Sequence, residues 1–376
     1  MSMDDAALKQ RTADAVTRAE SWLWSMQAPG RPRGIIRSSA HHDPAVWPDV
    51  LLQASYNGIM ALDLIGALER LNDAERRAAA DFLLSFRQAD GRFRMPMMTD
   101  DAVFKKPDQE ETWRYIDFHV GNYSLGALQA LVSDPPNLEF VRPFLDLRYL
   151  EAWLSRRDFR DAWQEGNNIV NLASFLLLIR DHGAPADAAA ARVGLQALLD
   201  WHDRLQEPST GFWGIGQGSD PERLLHAMAG ATHNFHLFFT LGRAIPYFDR
   251  SIDYCLTLPT ISVSACLDVD PIDILAHGHR LLDHRRAEVE AWLRAKLAGM
   301  LDFQSADGGF ADLSQGVRRL DGWVKGYEEP QGISNSFATY FRLIGIGMIA
   351  SVLWPGWRRW KFRRMIGIGY FLPESA

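Results

Sequence analysis

The segment CLDVDPIDIL, residues 266–275, sets Asp268, Asp270 and Asp273 within six positions of an otherwise apolar run. Carboxylates this close in a low-dielectric setting cannot all stay ionised, so at least one would hold a proton. A carboxyl group that keeps its proton near neutral pH is a general acid, suited to protonating an alkene or an epoxide. The same residues also suit a helix opening: Asp is a favoured N-cap, acids complement the positive end of the helix dipole, and Pro271 fits a first turn. The elements that carry them decide between the two.

Those elements are helices. Apolar residues recur at three and four, as in Leu8, Val16, Ala19, Trp22, Leu23 and Met26, and β-branched runs are scarce. Three phrases repeat, FLLSFRQADGRF (82–93), LLDWHDRLQEPSTGFWG (198–214) and LAGMLDFQSADGGF (297–310), and WLWSMQAPGRPRG (22–34) is a worn copy. Each runs an amphipathic helix into Gln, then a glycine turn. LEAWLSRRDFRDAW (150–163) and FDRSIDYCLTLPT (248–260) fall near the midpoints of the two widest gaps, which brings the set to six. A more apolar helix follows each one, at 54–68, 118–132, 165–179, 229–242, 267–282 and 332–348. Six amphipathic helices alternating with six buried ones predict an all-α chain arranged as a single (α/α)6 toroid over residues 1–376, with a basic, aromatic segment at 354–376.

If the six buried helices run the same way, their first turns ring one mouth. That rim would hold Tyr56 and Asn57; His119 and Asn122; Asn167, Asn168 and Asn171; His233, Asn234 and His236; the three Asp; and Ser334 and Asn335. Free N–H groups at helix N-termini suit anionic groups, and Asn, Ser and Asp also serve as plain caps. One cap per helix leaves His233, His236 and the Asn167–Asn168 pair for substrate binding.

Composition removes several function classes. The net charge of −7 gives no pull toward nucleic acid. Cys255 and Cys266 are too few for a disulfide framework and form no zinc pattern, which predicts no metal, no cofactor and a reducing cytoplasm. The acidic start MSMDDAALKQ does not read as a signal peptide, and the longest uncharged run, 343–356, is too short to span a bilayer. WPGWRRWKFRR (354–364) interleaves Trp with basic residues, a pattern that fits either an anionic inner-membrane surface or docking on the acidic body.

The Gln–Asp-Gly phrases resemble the repeat of the squalene cyclase and protein prenyltransferase toroids. The stretch from Ser264 to Leu313, SACLDVDPIDILAHG leading to FQSADGGFADL, resembles the region of class II terpene cyclases that carries their Asp-X-Asp-Asp acid. Asp268 and Asp270 match the first and middle Asp, which implies Asp270 as proton donor to an isoprenoid substrate, with Asp268 and Asp273 tuning it. Pro271 stands at the fourth position, the chain has length for one toroid only, and the prenyltransferase zinc ligands have no counterpart. Phe212, Trp213, Phe235, Phe238, Phe239 and Trp323 would shield a carbocation.

Two other functions fit the same residues. A carbohydrate-active enzyme on this fold would use the Asn/His rim and Asp117, Glu165, Glu328 or Glu329. His233 or His119 would be its base and Tyr123 its acid, with Trp113, Trp163 and Trp213 stacking sugars. EGNNIVN (165–171) is similar to the Asn-Asn-His phrase of some polysaccharide lyases, with Ile169 in place of the His. A non-catalytic helical toroid that binds a partner is the third.

Overall fold

The computed structural model describes residues 5–98, 109–132, 136–157, 159–214, 220–262, 264–313, 317–319, 324, 326–358 and 360–362. Among these, twelve α-helices follow one another: α1 (Asp5–Ser25), α2 (Val50–Leu64), α3 (Asp73–Leu84), α4 (Gln109–Leu131), α5 (Leu147–Leu154) and α6 (Ala162–His182), then α7 (Pro185–Leu205), α8 (Pro221–Leu241), α9 (Phe248–Thr257), α10 (Ala265–Leu281), α11 (Arg286–Leu301) and α12 (Ser336–Leu353). One two-stranded antiparallel ribbon joins β1 (Val317–Arg319) to β2 (Glu328–Pro330). The chain is all-α, as its periodicity predicts.

The two helix classes are physically distinct. All of α2 is buried, and α6, α8, α10 and α12 are buried over most of their lengths, whereas α1, α3, α9 and α11 bury only a stripe. A helix wetted on one face belongs outside its neighbours, and one apolar all round must be enclosed by them. α12 illustrates the second class. It is long and apolar enough to cross a membrane, yet 83% of it is buried in protein, and it carries Arg342. Each fully buried Leu or Ile on it contributes roughly 1.5–3 kcal/mol.

The even-numbered helices contact one another in a closed cycle, α2 to α4, α4 to α6, and so on through α12 back to α2. Paired residues show their direction. Trp163 meets His226 and Gly166 meets Gly230; Thr232 meets Asp270, His236 meets Asp273 and Phe239 meets His277; Asp268 meets Arg342 and Ile272 meets Gly345. Within each pair of helices the offset between partners stays nearly constant as both numbers rise, so α6, α8, α10 and α12 run parallel.

Gly166 and Gly230 are where α6 and α8 come closest, and a Cβ at Gly230 would overlap the Ala162 carbonyl. Gly230→Ala is therefore expected to lower stability by about 1–3 kcal/mol, measured by urea denaturation. An alanine variant as stable as the parent would show that the two backbones are free to separate.

The repeat turns share one structure. Gln27 with Ile36, Arg87 with Phe93, Gln206 with Trp213 and Gln304 with Phe310 form matching isolated bridges. The Gln206 amide donates to the Gly211 and Pro246 carbonyl oxygens at 2.8 Å each, and that of Gln304 to Gly308 and to Ala15 of α1 at 2.8 and 2.7 Å. One side chain thus closes its own turn and holds the next amphipathic helix. Gly211 and Gly308 have φ of 74° and 99°, a region other L-residues enter at a cost.

Candidate acid site inside the helical cycle

α10 begins before the acids. Its N-cap is Ser264, whose side chain accepts from the Leu267 N–H, and Asp270 and Asp273 lie in its second and third turns. Capping is therefore not their role, and Pro271 sits inside the helix rather than in its first turn. α2, α4, α6 and α8 also start earlier than their apolar patterns suggest, whereas α12 starts later than expected, at Ser336. α8 opens at Pro221 behind an Asp220 cap, which puts His233, Asn234 and His236 in mid-helix; α4 opens at Gln109, which does the same for His119 and Asn122. The expected rim is corrected to a deep layer. Of its residues, Asn335 is a true N-cap, accepting from Ala338 N–H at 2.8 Å, and Ser334 donates to Asp307.

Positions i, i+4, i+7 and i+11 share one helix face. On α10 that face carries Cys266, Asp270, Asp273 and His277, on α4 it carries Tyr115, His119, Asn122 and Tyr123, and on α8 His233 and His236. Side chains from helices that are not neighbours in the cycle interact: His119 of α4 with His233 of α8, and Tyr123 of α4 with Tyr340 of α12 and Cys266 of α10. These faces therefore point to a common middle. Tyr56 meets Tyr123 at 5.3 Å between ring centroids, and His119 stacks on Tyr123 at 4.7 Å.

The three acids have three different fates. Asp268 faces α11 and α12. Lys296 Nζ donates to it at 2.7 Å, Arg342 and Ser262 donate to its other oxygen, and these partners hold it ionised below the usual range despite burial. Asp273 accepts from His236 Nε2 at 2.5 Å, and His277 Nδ1 lies 2.5 Å from its other oxygen, with a hydrogen bond to the Asp273 carbonyl at 3.0 Å. The two imidazoles hold the Asp273 carboxyl far below its ordinary value, against the pull of desolvation. Asp270 is 0% exposed, and among the described residues neither carboxyl oxygen has a hydrogen-bond partner. Desolvation first, then the charges of Asp273 and Asp268, push it well above the ordinary carboxylate range, so it keeps its proton. The expected trio is thus one neutral acid, one carboxylate paired with two fixed cations, and one carboxylate held between two imidazoles.

Two further imidazoles near the acid, His233 and His119, are kept neutral. Burial brings His233 down to about 3 and His119 down to about 4 from 6.5. Groups with lowered native values stabilise the fold above the unfolded value, and that stability is lost as pH falls from 6.5 toward the native value. His233→Gln should therefore remove about 2 kcal/mol of the stability lost between pH 7.5 and pH 5, read from urea midpoints. Parallel pH curves for parent and variant would show that His233 titrates normally.

The remaining candidates take structural places. Trp213 is buried, its Nε1 donates to the His202 carbonyl at 2.9 Å, and it packs on Phe235 and Phe238 between α7 and α8, away from the shared middle. Asn234 faces His202 on α7. Asn167 is half-buried and donates to the Trp163 carbonyl; Asn168 is fully buried, and neither of its amide atoms has a hydrogen-bond partner among the described residues. Asn122 Nδ2 donates to Asn171 Oδ1 at 2.7 Å. Of the aromatic shield, Phe239 stacks on His277 at 3.9 Å, Phe212 packs on Tyr254, and Trp323 lies outside the described residues.

Carboxylates suited to glycan chemistry are engaged elsewhere. Asp117 accepts twice from Arg94 at 2.7 Å, Glu165 pairs with Arg157, and Glu329 accepts from the Tyr327 hydroxyl; Glu328 lies in β2. Trp113 lies under the Arg94 guanidinium and Trp163 beside His226. In the C-terminal segment Trp354 donates to Asp5, Arg358 to the Ile65 carbonyl and Lys361 to Glu69, so this part docks on the body; Arg359, Arg363 and Arg364 lie outside the described residues.

Sequence reasoning missed His277, Tyr340, Lys296 and Arg342. The signals were present: His277 stands four residues after Asp273, Lys296 falls on the apolar stripe of α11, and Arg342 is the lone cation of α12, and a buried cation calls for an acid partner. No protein-family model matches the chain, and neither does any curated protein.

Proposed function

We propose that the twelve helices form an (α/α)6 toroid and that the protein is an enzyme which starts carbocation chemistry on an isoprenoid substrate, with Asp270 as the general acid. The alternation of buried and half-buried helices, the closed cycle of contacts and the parallel run from α6 to α12 support the architecture. The observation that carries the function is Asp270 itself, a fully buried carboxyl group that keeps its proton and has no partner for either oxygen among the described residues.

The chemistry follows from the surroundings. An unpartnered O–H in a water-poor interior has a proton to offer an alkene or epoxide placed against it. Transfer forms a C–H or O–H bond, breaks the Asp270 O–H bond and leaves a carboxylate facing a substrate cation. That pair attracts strongly at low dielectric. The rings of Tyr56, Tyr123 and Tyr340 present electron-rich faces to the cation, and the exclusion of water protects it from capture. Asp273, ionised between His236 and His277, keeps the negative field that holds the proton on Asp270.

The test uses deuterium. Incubation with squalene, its terminal epoxide or geranylgeraniol in D2O should give a cyclised product, with one solvent deuterium on carbon if an alkene is protonated and on a hydroxyl if an epoxide is opened. A full panel left unconverted, or an alkene-derived product without solvent label, removes Asp270 from this role.

A further inference from the structure

We infer that the site recognises an uncharged oxygen function on its ligand through Asn122, Asn171 and His233, and that it rejects a diphosphate there; this rests on the isoprenoid reading above. Three observations lead to it. First, the Asn122–Asn171 hydrogen bond leaves Asn122 Oδ1 and Asn171 Nδ2 buried with no partner among the described residues, and His233 Nε2 is in the same condition at 3% exposure. Buried polar atoms without partners are rare, and each left so costs about 1–3 kcal/mol. A ligand that both donates and accepts satisfies them.

Second, a chain of interacting side chains links these residues to the acid. Asn122 is on the same face of α4 as His119 and Tyr123, His119 interacts with His233, and His233 interacts with His236 and Asp273, one turn from Asp270. A chain of buried groups therefore runs from the amide pair on α4 and α6 to the carboxyl on α10.

Third, among the described residues the chain of groups carries no fixed positive charge. No Lys or Arg occurs on the faces of α4, α8 and α10 named above, and Lys296 and Arg342, buried beside α10, are both committed to Asp268. His119 and His233 are neutral. A diphosphate brought here would lose its hydration without gaining a counter-charge, a cost no amide repays. A hydroxyl, epoxide or carbonyl oxygen loses little and gains two or three hydrogen bonds.

The experiment compares three ligands of one chain length by intrinsic tryptophan fluorescence at pH 7.5: geranylgeraniol, geranylgeranyl diphosphate, and the hydrocarbon that lacks the hydroxyl. The alcohol is expected to bind about tenfold more tightly than either of the others, the scale of one or two net hydrogen bonds. Asn171→Leu and, separately, Asn122→Leu should abolish the advantage of the alcohol over the hydrocarbon while leaving the hydrocarbon's affinity unchanged, with folding checked by circular dichroism. Equal or tighter binding of the diphosphate overturns the inference and leaves the isoprenoid reading standing. So does an undiminished preference for the alcohol in a folded variant. Failure of all three ligands to bind overturns both.

Discussion

Asp270→Asn is expected to lower turnover by about 10²–10⁴-fold, the usual contribution of a positioned general acid, while the protein melts no earlier than its parent. Asparagine has the shape of the protonated acid and no proton to give. The stability side follows from linkage. The native value of Asp270 is raised above its unfolded value, so its contribution is fully present below the unfolded value near 3.8 and is lost as pH rises through the native one. Asparagine carries no such loss. Melting curves from pH 5 to pH 9 should fall with pH more steeply for the parent than for the variant. A variant that unfolds early with unchanged turnover per folded molecule would make Asp270 a packing residue.

Asp268→Asn should do the reverse. It leaves Lys296 and Arg342 as two buried like charges, 2% and 0% exposed at the side chain, with no carboxylate between them. Removing one partner from a buried ion pair costs about 3–5 kcal/mol, so the variant should unfold at markedly lower urea. Its turnover per folded molecule should fall far less than that of Asp270→Asn, since Asp268 faces α11 and α12 and is the last of the three influences that raise Asp270. The sign with pH is again fixed. The native value of Asp268 is lowered, so its stabilisation is present above the unfolded value and lost as pH falls through the native one. The gap between parent and variant should therefore close in acid. A fully stable Asp268→Asn protein that has lost activity would exchange the roles of the two acids.

This contrast shows what was legible in the sequence. The alternation of helix types, the glutamine turn and the burial of the Asp-bearing helix follow from periodicity and composition, which are local properties. Helix starts were less legible. The first turns of α4 and α8 read QEETWR and PERLLH, polar stretches ahead of the apolar pattern, so a hydrophobic count enters each helix late. The Asp220–Pro221 pair was the better marker of where α8 begins. Late starts turned residues of a deep layer into residues of a rim. The separation of Asp268 from Asp270 was not legible at all, because it depends on partners 28 and 74 residues away, and no local pattern reports which stretch will arrive to neutralise a charge.

The cycle of buried helices has a consequence for biosynthesis. α12 is the element that joins α10 to α2, and it brings the guanidinium that completes the Asp268 cluster. Until it emerges from the ribosome, α2 and α10 each hold an uncovered oily flank, and Asp268 and Lys296 wait for their third member. Contacts between α12 and α2 span almost the whole chain, and such distant pairings are the slow ones. A nascent chain stalled before residue 336 is therefore expected to bind a hydrophobic dye that the completed chain does not.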